Sequence, residues 1–135
     1  IVEEAQAVYE KYGGGTSTGR KPGFFHMGGQ SGPIGFPEQL DTPYTYETLA
    51  PKGLAVGSGA IVVLDDSVCI VEYIQKVFEF FVHESCGKCT PCRLGTTRIL
   101  ELLTDFVEGR AKDGDVERLE YMARQVSQLS AWASL

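Results

Sequence analysis

Three cysteines lie at an even spacing in the run CGKCTPC, at Cys86, Cys89 and Cys92. A C-x-x-C-x-x-C pattern lets one short loop direct several thiolates at a single point, as a metal ion or an iron–sulfur cluster requires. Gly87 relaxes the backbone between the first two cysteines, and Pro91 suits the first turn of a helix that begins near Cys92. The spacing therefore predicts a metal-binding or cluster-binding loop at the start of a helix.

Two basic residues and a histidine lie close to these cysteines. Lys88 and Arg93 favour thiolates over thiols, and they either tune a cluster's potential or are simply solvated. His83 extends the pattern to H-x-x-C-x-x-C-x-x-C, and imidazole can ligate iron or complete a Cys₃His zinc set. The simpler interpretation, which we favour, is that His83 complements the dipole at the end of the preceding helix.

The other cysteine and the other histidine have structural interpretations. Cys69 falls within a helical pattern and is expected to be a small buried hydrophobic residue. His26, in a short aromatic strand, is expected to be a packed core residue. The glycine-rich stretch 28–35 matches neither the P-loop nor the dinucleotide-binding pattern, so a tight turn is the expected structure there.

Composition limits the function class. The chain has 135 residues, of which 43% are hydrophobic and 22% are charged, as in a soluble globular protein. A net charge of −6 argues against a nucleic-acid surface. No apolar run is long enough to span a bilayer, and no signal peptide is predicted. Bunched cysteines favour a ligand set over a disulfide framework, and hence a reducing intracellular compartment.

Apolar periodicity and turn residues predict an α+β fold. We expect short strands at 24–27 and 60–64, the second buried on both faces, and helices at 1–12, 43–49, 68–84, 93–108 and from about 115 onward. The helix at 68–84 is expected to be largely buried. The predicted cores of the last two helices are Leu94, Ile99, Leu102, Leu103 and Phe106, and Val116, Leu119, Met122, Ala123, Val126 and Leu129.

These motifs together resemble one family. The run ESCGKCTPCRLGTT at 84–97 resembles the cluster-binding signature of the flavoprotein (51 kDa, NADH-binding) subunit of complex I type NADH dehydrogenases. Related diaphorase subunits of hydrogenases and formate dehydrogenases carry a similar signature. The upstream runs GGQSG at 28–32, LDTP at 40–43 and GSGAIVVLDD at 57–66 also resemble this family.

The resemblance implies a domain organisation. Residues 1–66 would form most of a soluble-ligand-binding β-grasp (SLBB) unit, incomplete at its N-terminus, and residues 67–135 a small helical bundle that carries a [4Fe–4S] cluster. In the family this cluster accepts electrons from FMN, which NADH reduces in a preceding domain. The chain begins at Ile1 rather than at Met. It is therefore expected to be a processed chain or a fragment, unable to oxidise NADH alone.

The resemblance also implies partners and a location. A thioredoxin-like [2Fe–2S] subunit and a further iron–sulfur subunit are expected to adjoin the chain. The expected location is the cytoplasm, or the mitochondrial matrix in a eukaryote, at the periphery of a membrane complex.

A ligand set follows from the same resemblance. Cys86, Cys89 and Cys92 would be three cluster ligands, and the family's fourth cysteine aligns with Trp132, whose indole cannot ligate iron. The standard four-cysteine set is therefore incomplete in this chain. The alternative function is a zinc-bound or metal-free docking module within a redox complex.

Overall fold

The computed structural model describes residues 3–130, and the chain divides into two compact units, Ile1–Val68 and Cys69–Leu135. In the first unit a small antiparallel sheet has the strand order β2-β1-β3. Its helices and strands are α1 (Ala5–Lys11), β1 (Pro22–Met27), β2 (Ile34–Gly35), α2 (Tyr46–Leu49) and β3 (Ile61–Asp65), with single 3₁₀ turns at Pro37–Gln39 and Ala50–Lys52.

The core of the first unit lies between α1, one face of the sheet and the segment that contains α2. Its buried members are Ala5, Phe25, Met27, Leu40, Leu49 and Leu54. The stretch 28–35 contains the turn between β1 and β2, as predicted. His26 is buried, and its Nε2 lies 2.9 Å from the carbonyl oxygen of Gly32, which confirms its packed role.

The predicted burial of β3 on both faces is wrong. Val62 is 48% exposed, whereas Ile61 and Val63 pack against the core. Successive side chains of a strand point to opposite faces, and an antiparallel sheet commonly packs only one of those faces. A continuous run of apolar residues therefore did not distinguish a strand covered on one side from one covered on both.

Asp65 ties the end of β3 to the preceding loop. Its carboxylate accepts hydrogen bonds from the Ser67 hydroxyl, the Thr18 hydroxyl and the Ser67 backbone N–H. These bonds, with the Ser67 hydroxyl first, lower the pKa of Asp65 from 3.8 to about 2. Since the folded-state pKa is depressed, the stabilisation is present above pH 3.8 and is lost as the pH falls towards 2.

We therefore expect Asp65→Asn to lower the melting temperature at pH 7, with a smaller difference from the unsubstituted chain near pH 2. Asp66→Asn is the matched control, because Asp66 is exposed and forms only a 3.8 Å ion pair with Arg20. Thermal unfolding followed by circular dichroism measures both. A difference between Asp65→Asn and the unsubstituted chain that does not change between pH 7 and pH 2 would refute this account of Asp65.

The second unit consists of three helices in its described part. They are α3 (Ile70–Glu84), α4 (Thr90–Val107) and α5 (Asp115–Leu129). Helix α4 packs against both α3 and α5. Its buried side is formed by Cys92, Thr96, Ile99, Leu102 and Leu103. A Cβ atom on Gly95 would overlap the side chain of Val126, so α4 and α5 approach closely there.

Several burial predictions for this unit are wrong. Leu94 is 54% exposed, and Val116, Ala123 and Leu129 are exposed as well. Helix α3 is mostly half-buried rather than buried, with Val77 alone in the buried class. Periodicity identifies an apolar stripe, but each outer helix contacts α4 along only part of its stripe.

Cys69 is also misassigned by sequence, since it is exposed at the N-cap of α3 rather than buried within it. No helix within residues 3–130 is both long enough and apolar enough to cross a membrane.

Candidate cluster-binding site

The cysteine loop joins α3 to α4. Ser85 ends α3 in an extended backbone conformation, and Cys89 precedes α4 as its N-cap residue, with φ −94° and ψ 133°. Pro91 lies in the first turn, where a missing N–H costs no helix hydrogen bond. Cys86 therefore lies in the loop and Cys92 in the first turn of α4, so the prediction of a helix beginning beside the cysteines is confirmed.

The loop is held by hydrogen bonds at Gly87. This residue has φ +71°, in the left-handed region that glycine adopts readily. Its N–H donates to Ser85 Oγ at 3.3 Å, and its carbonyl oxygen accepts a hydrogen bond from Arg93 Nη1 at 3.3 Å. Arg93 thus has a defined contact that closes the loop onto α4, whereas sequence suggested only its charge.

The three cysteines differ in exposure. Cys86 is exposed, Cys89 is half-buried, and Cys92 is 4% exposed. The Sγ of Cys92 lies 3.3 Å from Ser85 Oγ. All three are thiols rather than disulfides. The site is therefore graded, with its last ligand candidate buried beneath the loop and its first in solvent.

The electrostatic surroundings favour negative charge. Helix α4 has 18 residues, and its first turn contains no acidic side chain. The positive end of its dipole is directed at Cys89 and Cys92, and such a position stabilises thiolates and other anions. Lys88 and Arg93 are both exposed beside it. An iron–sulfur cluster ligated by thiolates carries net negative charge, so this end of α4 suits it.

The structure places the three cysteines on one loop and one helical turn. Within residues 3–130, however, no three His, Cys, Asp or Glu side chains form a group that could hold a metal ion. The donors therefore fit an iron–sulfur cluster by chemical type, spacing and electrostatic surroundings, while their side chains do not converge. The predicted fourth position, Trp132, lies outside the described residues.

His83 has a different environment from the cysteines. It lies in the last turn of α3, its side chain is 84% exposed, and its Nδ1 lies 2.9 Å from Glu84 Oε1. A histidine at this position complements the helix dipole. The contacts of His83 thus match the simpler of its two interpretations.

Ser85 is the residue that sequence reasoning missed. Its hydroxyl contacts both Gly87 and Cys92, two and seven residues further along the chain. The extended conformation at the end of α3 brings these groups together. A serine beside a cysteine carries no periodic or spacing signal for such a contact.

Comparison with known proteins points to one family. Residues 72–132 match the NADH-ubiquinone oxidoreductase-F iron-sulfur binding region. An F-type NADH-quinone oxidoreductase protein of Rhizobium meliloti is 38% identical over 88% of this chain and 28% of its own length. The F-type NADH-quinone oxidoreductase protein of Streptomyces coelicolor is 37% identical over 84% of this chain and 25% of its own.

A hydrogenase protein is also similar. The NADP-reducing hydrogenase subunit HndC of Solidesulfovibrio fructosivorans is 36% identical over 82% of this chain and 23% of its own length. The chain thus spans about a quarter of the length of these relatives.

A solved structure supports the same assignment. The crystal structure of an NAD⁺-reducing [NiFe]-hydrogenase in the H₂-reduced state matches 96% of this chain and 21% of its own, with a TM-score of 0.80 and 28% identity. The predicted α+β fold is confirmed by this similarity and by the observed elements. The matched region also confirms a [4Fe–4S] cluster as the cofactor type. Residues 72–132 of this chain therefore belong to the iron–sulfur binding region of the NADH-ubiquinone oxidoreductase F family.

Proposed function

We propose that the chain is an electron-transfer module whose [4Fe–4S] cluster is held by Cys86, Cys89 and Cys92. The observation that carries this proposal is the position of these thiols, at the positive end of α4 and inside the matched iron–sulfur region. When bound, the cluster supplies a one-electron redox centre. The protein supplies three thiolates, a loop fixed at Gly87, and partial exclusion of water at Cys92.

The electron donor proposed here is FMN reduced by NADH in another part of a longer protein. The similar proteins have names that refer to NADH-quinone oxidoreductase or to an NADP-reducing hydrogenase. Since the chain covers only about a quarter of their length, the FMN and NAD(H) sites are assigned to the remaining part. The division at Val68 supports an SLBB-like unit at 1–66 and an iron–sulfur bundle at 67–135.

The proposed partners are the other subunits of a redox complex, among them a thioredoxin-like [2Fe–2S] subunit and a further iron–sulfur subunit. The names of the similar proteins, which identify them as subunits, support this proposal. The proposed location is the cytoplasm or the mitochondrial matrix, at the edge of a membrane complex.

This function predicts which reductants act on the chain. After anaerobic reconstitution, photoreduced FMN is expected to bleach the visible absorption of the cluster, whereas NADH alone leaves it unchanged. Stopped-flow absorbance measures both reactions, with dithionite as the control reductant. A cluster that dithionite reduces and reduced FMN does not, or one that NADH reduces without flavin, would contradict the proposed donor.

A zinc-bound docking module is the second candidate, because the cysteines form no complete metal group within residues 3–130. A Cys₃His zinc site would need His83, whose side chain is directed to solvent and Glu84. This contact makes the zinc candidate the weaker one. Metal analysis distinguishes the two, since a zinc site gives a colourless protein.

A further inference from the structure

We propose that Ser85 is a positioning residue that orients Cys92 and raises the reduction potential of the cluster. This inference rests on the proposed function, because it takes Cys92 as a cluster ligand. The observation behind it is that one hydroxyl contacts both the Cys92 sulfur and the Gly87 N–H, each at 3.3 Å. Ser85 thereby links the loop to the most buried of the three cysteines.

The donor and acceptor roles at Ser85 follow from counting protons. The Gly87 N–H can only donate, so Ser85 Oγ accepts that bond and keeps its own proton available. A ligating Cys92 is a thiolate and has no proton to give. The hydroxyl proton must then be directed to Cys92 Sγ, and the backbone N–H that donates to Ser85 helps fix that orientation.

A hydrogen bond to a cluster sulfur alters the redox equilibrium. The reduced cluster carries one more negative charge than the oxidised cluster, so a donor to its thiolate stabilises the reduced form more. Cys92 is almost fully buried and Ser85 is half-buried, which strengthens the bond relative to one in water. Loss of the hydroxyl should therefore lower the midpoint potential.

The same bond holds Cys92 in place before any cluster is present. Ser85 lies at the end of α3 and Cys92 in the first turn of α4, so their contact links the two helices across the loop. Without it, the loop opens more often and the buried thiol becomes accessible. Alkylation of Cys92 therefore reports the positioning role without requiring iron.

The test compares Ser85→Ala and Ser85→Thr with Thr97→Ala. Thr97 is the matched control, since its hydroxyl donates to the Arg93 carbonyl oxygen within α4 and contacts no cysteine. In the reconstituted 135-residue chain, a redox titration followed by EPR gives the midpoint potential. Ser85→Ala is expected to shift the reduction equilibrium by up to about tenfold towards the oxidised form, or ~59 mV for one electron. Ser85→Thr should restore the potential, and Thr97→Ala should not change it.

The second measurement uses the chain without iron. Mass spectrometry follows alkylation of Cys92, with exposed Cys69 as the internal reference. Ser85→Ala is expected to accelerate Cys92 alkylation several-fold, and Ser85→Thr to leave it near the rate of the unsubstituted chain. An unchanged potential together with an unchanged alkylation rate overturns the role of Ser85. If the unsubstituted chain takes up no iron, the proposed function fails, and the alkylation rates alone decide whether Ser85 positions Cys92.

Discussion

Replacing Cys92 by alanine is expected to abolish assembly of the [4Fe–4S] cluster. Cys92 is the most buried of the three thiols, it begins α4, and Ser85 orients it. With the family's fourth position aligned to Trp132, removal of Cys92 would leave only two of the proposed cysteine ligands. Iron content and visible absorption after anaerobic reconstitution measure the effect, and we expect both to fall to background.

Two control variants make this result specific. Cys69→Ser removes an exposed thiol at the start of α3, outside the loop, and should leave the iron content unchanged. His83→Ala removes an imidazole that contacts Glu84, and should also leave the iron content unchanged. Loss of iron in His83→Ala would instead make the imidazole a ligand. Full iron retention in Cys92→Ala would remove Cys92 from the site.

Replacing Ile99 by alanine is expected to destabilise the helical unit by about 2–5 kcal/mol, the usual range for such a cavity-forming change in a core. Ile99 is 1% exposed and lies two turns after Cys92 on the buried side of α4. Chemical unfolding followed by circular dichroism measures the loss. The cluster should still assemble, but it should be released at a lower denaturant concentration than in the unsubstituted chain.

Leu94→Ala is the matched control for Ile99→Ala. Both substitutions shorten an aliphatic residue of α4, but Leu94 is 54% exposed, so its loss should change the stability by no more than about 0.5 kcal/mol. A loss for Leu94→Ala as large as that for Ile99→Ala would mean that Leu94 is covered in solution. It would also restore the sequence prediction that the structure contradicts.

The sequence predicted the site better than it predicted the burial. The cysteine spacing, Gly87 and Pro91 are local signals, and they correctly indicated a loop that leads into a helix. The aliphatic periods around Leu94 and Val116 are local too, but burial depends on which neighbour covers each turn. Residues within a stripe therefore differ in exposure, although the sequence pattern treats them alike.

Contacts across turns were not predictable from sequence. The bond from Ser85 to Cys92 depends on the extended backbone at the end of α3. The bond from Thr18 to Asp65 spans 47 residues and requires the loop after α1 to fold back onto β3. Neither has a spacing that a pattern could recognise, because the intervening chain sets the geometry.

The most direct test of the central claim is the cluster content of the 135-residue chain after anaerobic reconstitution. Iron and acid-labile sulfide are measured per chain, and EPR spectra are recorded before and after reduction with dithionite. We expect about four irons and about four sulfides per chain, with a signal that appears on reduction, as a [4Fe–4S] centre requires. A colourless chain that binds no iron, or that binds zinc in its place, would contradict the account.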